Sequence, residues 1–321
     1  MYLLVHTIQY FGFFFSQFTN LVLLYLLWAK AGKQIGPFRY LMMSFSLYSV
    51  VYNYVDIVTH PLVLMEKQVC VVVNHGPFRY TPGFGYVLIC IFGASFGLCI
   101  SILCTQYMFR YIVICQQKHL HLIEGKRLAL LFLYPFAISI TWFSVCYFGL
   151  KITPEKRKAL KITLQENYDE DSDVIMFAAA QYWILDDNGE TTWCLRDCLA
   201  ALGMVGLMVE RICCFVVSFC GIKTFRKMME VQASMSRQTV ALNKTLLPSI
   251  LMYGPVGLLF FAPLFEWNLQ LLVSSAGATT AIYPAFEPLI VIFCISLFRR
   301  ATFPCKQTNI ITSSAALPSI I

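Results

Sequence analysis

Seven stretches of this chain each hold about twenty or more mostly apolar residues in a row, which constrains the fold more than any other feature. An apolar run of that length crosses the roughly 30 Å hydrocarbon layer as a helix. The approximate spans are Leu3–Ala29, Tyr40–Leu64, Tyr86–Ile112, Leu128–Leu150, Leu199–Ile222, Thr245–Phe265 and Leu271–Phe298. The runs are continuous rather than alternating, so they do not describe a transmembrane barrel. Composition agrees, with 58% hydrophobic and only 13% charged residues among 321. A soluble domain carries about 25% charged residues and needs them to cover its surface. This balance excludes a soluble enzyme, a nucleic-acid-binding domain, a disulfide-dense miniprotein and a disordered chain. The expected fold class is an all-α seven-transmembrane helical bundle (residues 1–300) in a lipid bilayer, with a short tail over 301–321. The first span has no positive leader and no cleavage site, and reads as an uncleaved signal anchor.

Charge sets the expected orientation. The connections after spans one, three and five, together with the tail, carry 15 of the 24 basic residues against two acids. The connection between spans four and five, Lys151–Asp197, carries six basic and ten acidic residues. The positive-inside rule then places the N-terminus outside and the C-terminus inside. That topology accounts for the net charge of +7 without a nucleic-acid footprint.

Lys151–Asp197 is the only long connection. A basic stretch and the acidic run YDEDSD precede Val174–Leu185 (VIMFAAAQYWIL), which is too short to cross a bilayer. It reads as a loop helix packed over the mouth of the bundle, or as a lid that selects ligands. Cys70, Cys194 and Cys198 are the cysteines expected in outer connections, an oxidising setting, so a bond from Cys70 to Cys194 or Cys198 is expected. Soluble-enzyme signatures such as GxxxxGK[ST], GxGxxG and HExxH do not occur. Cys115, His119 and His121 have a C-x3-H-x-H spacing but read as a solvated loop, so no metal site and no cofactor is assigned. Asn243-Lys244-Thr245 falls on the expected inner side, where it escapes glycosylation.

Charged residues inside spans cost roughly 2.5–3.5 kcal/mol each at mid-helix and mark either buried packing contacts or function. Asp56 lies one turn beyond Asn53 in span two, and Glu210 and Arg211 lie midway along span five. A cross-bundle Asp56–Arg211 pair is one expectation. Asn20 in span one reads as a helix–helix hydrogen-bond donor. Span six is punctuated by Pro248, Gly254, Pro255 and Pro263, weak points suited to hinge motion. Span seven carries the polar stripe Ser274, Ser275, Thr279, Thr280 and Tyr283. The absence of internal repeats counts against a pseudo-symmetric transporter. A transporter or channel subunit using Asp56, Glu210 and Arg211 nevertheless stands as the alternative class.

Four segments carry a resemblance. IGPFRYLMMSFSLYSVVYNYVDIVTHP (Ile35–Pro61), QYMFRYIVIC (Gln106–Cys115), YDEDSDVIMFAAAQYW (Tyr168–Trp183) and YPAFEPLIVIFCISLFRR (Tyr283–Arg300) occur in order along nearly the whole chain. Together they resemble the nematode serpentine chemoreceptors of the Str superfamily, a G-protein-coupled receptor group. The resemblance implies a non-enzymatic plasma-membrane receptor in the cilia of sensory neurons. It would bind a small, often volatile odorant and signal through a heterotrimeric G protein. Arg110 takes the family's inner span-three arginine, which contacts the G protein or a switch network. Tyr283, Pro284 and Pro288 take the span-seven motif, with Glu287 where the family usually has Asp. Only Ala241–Leu247 precedes Pro248, which keeps a non-coupling receptor homologue as a further reading. On this reading a pocket lined by Asn53, Asp56, Tyr253, Thr279 and Tyr283 lies beneath Val174–Leu185. The inner surface would present Arg110, Lys223, Arg226, Lys227, Arg299 and Arg300 to the G protein.

Overall fold

The computed structural model describes residues 2–30, 38–66, 68–116, 118–119, 125–185, 191–209, 220, 222–231, 284–293 and 295–302. Helices dominate them: α1 (Tyr2–Ala29), α2 (Phe38–Thr59), α3 (Phe84–Cys115), α4 (Leu130–Ser144), α5 (Pro154–Tyr168), α6 (Leu195–Val209), α7 (Ile222–Val231), α8 (Pro284–Phe293) and α9 (Ser296–Thr302). Four described helices are long and apolar enough to cross a membrane: His6–Ala29, Phe38–Thr59, Phe84–Cys115 and Arg127–Gly149. They correspond to the first four expected spans. Span six lies wholly outside the described residues.

Their faces are reversed relative to a water-soluble helix. Along α1, the exposed residues Phe11, Phe14, Phe18, Leu21, Tyr25 and Trp28 recur every three or four positions. Gln9, Ser16, Thr19 and Asn20 are buried on the other side. The same inversion sets Leu47, Val51 and Tyr54 of α2 outward and Ser46, Ser49, Asn53 and Asp56 inward. A large apolar stripe left exposed marks a face made for lipid.

The buried polar groups form one seam. Asn20 Nδ2 donates to the Ser16 carbonyl at 2.9 Å, to Ser16 Oγ at 3.0 Å and to the Pro284 carbonyl at 2.8 Å. Asn53 Nδ2 donates to Ser16 Oγ at 2.7 Å, and Thr19 Oγ1 donates to the Ala285 carbonyl at 3.2 Å. Pro288 stands where the backbone N–H for the Pro284 carbonyl would be, and proline has none. Asn20 replaces that missing donor from another helix, as expected of a polar residue in a span.

Span two stops five residues short of the expected Leu64. His60 takes a left-handed φ of 39°, and Pro61 has no N–H with which to continue the ladder. The last carbonyls are capped by the following loop, His75 N and Gly76 N donating to the Thr59 carbonyl at 3.1 and 3.0 Å. A Cβ on Gly76 would lie 2.0 Å from the Val58 carbonyl oxygen, so this approach requires glycine.

The chain beyond His60 forms an antiparallel sheet rather than more helix. β1 (Leu62–Glu66) pairs with β2 (Val69–Val73), and β2 pairs with β3 (Phe177–Gln181), Val69 opposite Gln181 and Val73 opposite Phe177. β4 (Trp183–Leu185) and β5 (Thr191–Trp193) form a separate hairpin. Within Val174–Leu185, Phe177–Gln181 and Trp183–Leu185 are therefore strands and no helix forms, correcting the expected loop helix; β3 belongs to the three-stranded sheet. Its sheet is buried on both faces: Val69, Val71, Phe177 and Ala179 pack on Leu160 and Leu164 of α5, while Cys70, Ala178 and Ala180 join the core of α3, α4 and α6. A strand covered on both sides has no polar alternation, so its sequence cannot be told from a short helix.

Candidate functional sites

At the sheet end, α5 begins with Thr153 as cap and Pro154 in its first turn. Lys156 points inward from that turn. Its ammonium sits 2.6 Å from Asp197 Oδ2 and donates to the Lys151 and Ala179 carbonyls at 2.9 and 2.7 Å. Asp197 Oδ2 also accepts the Gln181 N–H at 3.0 Å. One ion pair thus ties α5, β3 and the start of α6 together. Burial lowers the Lys156 pKa from its usual value, and Asp197 opposes that shift.

A second anchor uses Glu170, from the acidic run. Its Oε1 lies 3.1 Å from Arg79 Nε and 3.2 Å from His75 Nε2, and its Oε2 accepts the Tyr80 hydroxyl at 2.6 Å. The acidic run is thereby fixed to the loop between β2 and α3.

Cys70, Cys194 and Cys198 are free thiols in this structure, so the expected bond from Cys70 is not formed. The Tyr182 side chain has both Cys70 and Cys198 as close electrostatic neighbours, and Cys198 Sγ donates to the Tyr182 carbonyl at 3.4 Å. Burial pushes the Cys70 thiol up to about 12. Burial and then the Asp197 carboxylate raise the Cys194 and Cys198 thiols.

Among the expected pocket residues, Asn53 and Asp56 share the inward face of α2. Asn53 is already committed to Ser16 Oγ and the Ser49 carbonyl, at 2.7 Å each. Its bond to Ser16 holds α1 and α2 together. Asp56 is 5% exposed, nearer the sheet end. Tyr253, Thr279 and Tyr283 lie outside the described residues, as do Glu210 and Arg211 and hence the Asp56–Arg211 pairing.

The opposite end is basic. Its core joins Leu26 and Leu27 of α1, Phe38 and Leu41 of α2, Phe109 of α3, and Ile295 and Phe298 near the chain's last described helix. On this base, Lys223, Arg226 and Lys227 of α7 and Arg299 and Arg300 of α9 are all exposed. Arg110 differs from the expected surface position: it is only 7% exposed. Its guanidinium lies 4.6 Å from the centroid of the Phe38 ring, and Glu287 and Tyr107 are electrostatic neighbours. The aromatic face and a carboxylate from α8 supply the compensation a buried guanidinium needs. A charge count along the sequence registers Arg110 as one more inner cation and carries no sign of this burial. Cys115 and His119 are at this end too, and among the described residues no group of three ligands is placed to hold a metal.

Comparison with known proteins agrees with this architecture. Residues 5–303 match the family model for the serpentine type 7TM GPCR chemoreceptor Str. The chain is 29% identical to serpentine receptor class r-10 of Caenorhabditis elegans over 329 residues, covering 97% of this chain and 94% of that one. It is likewise 29% identical to serpentine receptor class r-10 of Caenorhabditis briggsae, covering 94% and 90%. Identity to the G-protein coupled receptor str-217 of C. elegans is 24%, over 88% and 84% of the two chains. The chain belongs to the Str family of serpentine seven-transmembrane chemoreceptors. It is accordingly a multi-pass membrane protein of a chemosensory G-protein-coupled receptor class.

Proposed function

We propose that the chain is a seven-span, non-enzymatic plasma-membrane receptor of sensory cilia, with its N-terminus and sheet end outside and its basic end in the cytoplasm. A small odorant enters the bundle beneath the sheet, near Asp56 and with Tyr253, Thr279 and Tyr283 as further lining. The basic end engages a heterotrimeric G protein through Lys223, Arg226, Lys227, Arg299 and Arg300. The observation that carries this reading is the buried Arg110, against the Phe38 ring with Glu287 as an electrostatic neighbour, at the same end as five exposed cations. That arrangement supports a switch: Arg110 is held by α2 and α8 in the resting state and released toward the partner when the ligand favours another arrangement. A ligand shifts such an equilibrium only by its differential affinity for the two states.

The test is calcium imaging of cells expressing the chain with a promiscuous G protein, screened against an odorant panel. Arg110→Ala is expected to reduce the evoked response about tenfold or more, the size of a typical allosteric coupling. A full response from Arg110→Ala at equal surface expression would overturn its role.

A further inference from the structure

Three buried hydrogen-bond acceptors at the sheet end of α1 and α2 have no partner among the described residues: the Asp56 carboxylate, Gln9 Oε1 and His60 Nε2. Asp56 and His60 are 5% exposed and Gln9 2%. They stand on adjoining turns. His60 N donates to the Asp56 carbonyl at 2.8 Å, one turn apart along α2, and Gln9 Nε2 donates to the carbonyl of Pro61 at 3.3 Å. The His60 ring packs among those of His6 and Tyr10, with centroids 4.7 and 5.0 Å away. His6 in turn meets His75 from the loop before α3, at 4.9 Å.

All three unpartnered atoms accept. His60 bonds to the backbone of Ile57 and its Nε2 has no partner, so Nδ1 is its donor and Nε2 holds a lone pair. Burial, and then His75, lower the His60 pKa below the ordinary imidazole value, which keeps that lone pair free of a proton at neutral pH. At the sheet end Lys156 is paired with Asp197 at 2.6 Å and Arg79 with Glu170 at 3.1 Å, so neither answers the Asp56 charge. A carboxylate out of reach of water is costly until a cation joins it. A primary ammonium carries one positive charge, three N–H donors and no acceptor. It complements a carboxylate, an amide oxygen and an imidazole lone pair together.

We infer that Asp56, His60 and Gln9 bind the protonated nitrogen of a small primary amine, an inference that rests on the receptor reading above and gives it a ligand class. Asp56 answers the charge, and His60 Nε2 and Gln9 Oε1 take the remaining N–H groups. The alkyl part lies toward Tyr52, one turn inward from Asp56, and Phe92 of α3, whose rings are 6.1 Å apart. An alcohol of the same shape brings one donor and no charge, and leaves the carboxylate unanswered.

The experiment melts the full chain in lipid nanodiscs with butylamine, isoamylamine, cyclohexylamine and phenethylamine, and with the alcohol matching each in shape. At least one amine should raise the melting temperature, and its alcohol should need about 10- to 100-fold more for the same shift. Asp56→Asn should abolish that preference, and Gln9→Leu should weaken amine binding about three- to tenfold. Without ligand, Asp56→Asn should melt no lower than the parent, since it removes an unpaired charge and offers His60 Nε2 an N–H. No shift with any amine, equal shifts with the alcohols, or a shift retained in Asp56→Asn would each overturn the site. So would the same shift from sodium or ammonium chloride alone, or a lower unliganded melt of Asp56→Asn, which would mean that the carboxylate has a partner within the bundle. Calcium imaging with the same compounds separates the two readings. Amine binding without a response counts against signalling and leaves the site standing, whereas a response to alcohols with no amine binding does the reverse.

Discussion

The stretch of α1 from Gln9 to Asn20 and the middle of α5 bury different kinds of side chain. In α1 the aromatics point out and Gln9, Ser16, Thr19 and Asn20 point in; in α5 Leu160 and Leu164 point in, while Lys158, Lys161, Gln165 and Glu166 point out. Phe18 of α1 and Ile162 of α5 are equally exposed, at 67% and 69%. What differs is the solvent. In α1 the polar residues are inside because lipid offers them no hydrogen bonds, and they must find partners on neighbouring helices. In α5, water takes the charges and the apolar face drives packing on the sheet. Exposure alone therefore says nothing about tolerance of substitution until the surrounding medium is known.

The largest effect is expected where the water-facing region buries charge. Lys156→Met leaves the buried Asp197 with the Gln181 N–H and the largely exposed Arg196, 3.3 Å away, as partners and should cost about 3 kcal/mol. Surface expression and thermal unfolding should both fall, and a second change, Asp197→Leu, should restore part of the loss. Next comes the direct contrast of media. Phe18→Asp should cost about 2.5–3.5 kcal/mol in the membrane, whereas Ile162→Asp should stay within about 0.5 kcal/mol. Equal losses for the two, measured as folded fraction in nanodiscs, would break the distinction between them.

Asn20→Leu tests the polar interior of α1. Removing the donor to the Pro284 carbonyl should cost about 1–3 kcal/mol, read as a lower melting temperature with little change from Asn20→Gln if the longer amide still reaches. The smallest effect is kinetic. With their pKa values raised by burial and by Asp197, Cys194 and Cys198 carry less thiolate at neutral pH than an ordinary cysteine. Alkylation should be slow at pH 7, should keep accelerating above pH 9, and should quicken at neutral pH when Asp197 is changed to Asn.

The same contrast explains what could be read from the sequence. The apolar runs of α1, α3 and α4 are long enough to have no competing interpretation, and Asn20 was identifiable because a lone amide in a span needs a partner. The end of α2 was misread because Leu62, Val63, Leu64 and Met65 are as apolar as a helix end, although His60 and Pro61 stop the ladder. β3 was misread because both its faces are buried, so the period-two signal is absent. The commitment of Asn53 to Ser16, the burial of Arg110 and the meeting of three histidines depend on contacts between residues 37 to 177 positions apart. Such contacts leave no mark in local spacing.

One amide bears on how the bundle transmits force. The Pro284 carbonyl takes its hydrogen bond from Asn20 of α1 because Pro288 cannot supply one. The rung that would resist a turn at that point of α8 is missing from its own ladder. Resistance there comes from two side chains on a different helix, Asn20 on the Pro284 carbonyl and Thr19 on the Ala285 carbonyl, which act together as a latch. A stimulus that rotates α8 must pull on α1, and Glu287, three residues along, carries the same turn to Arg110 at the basic end.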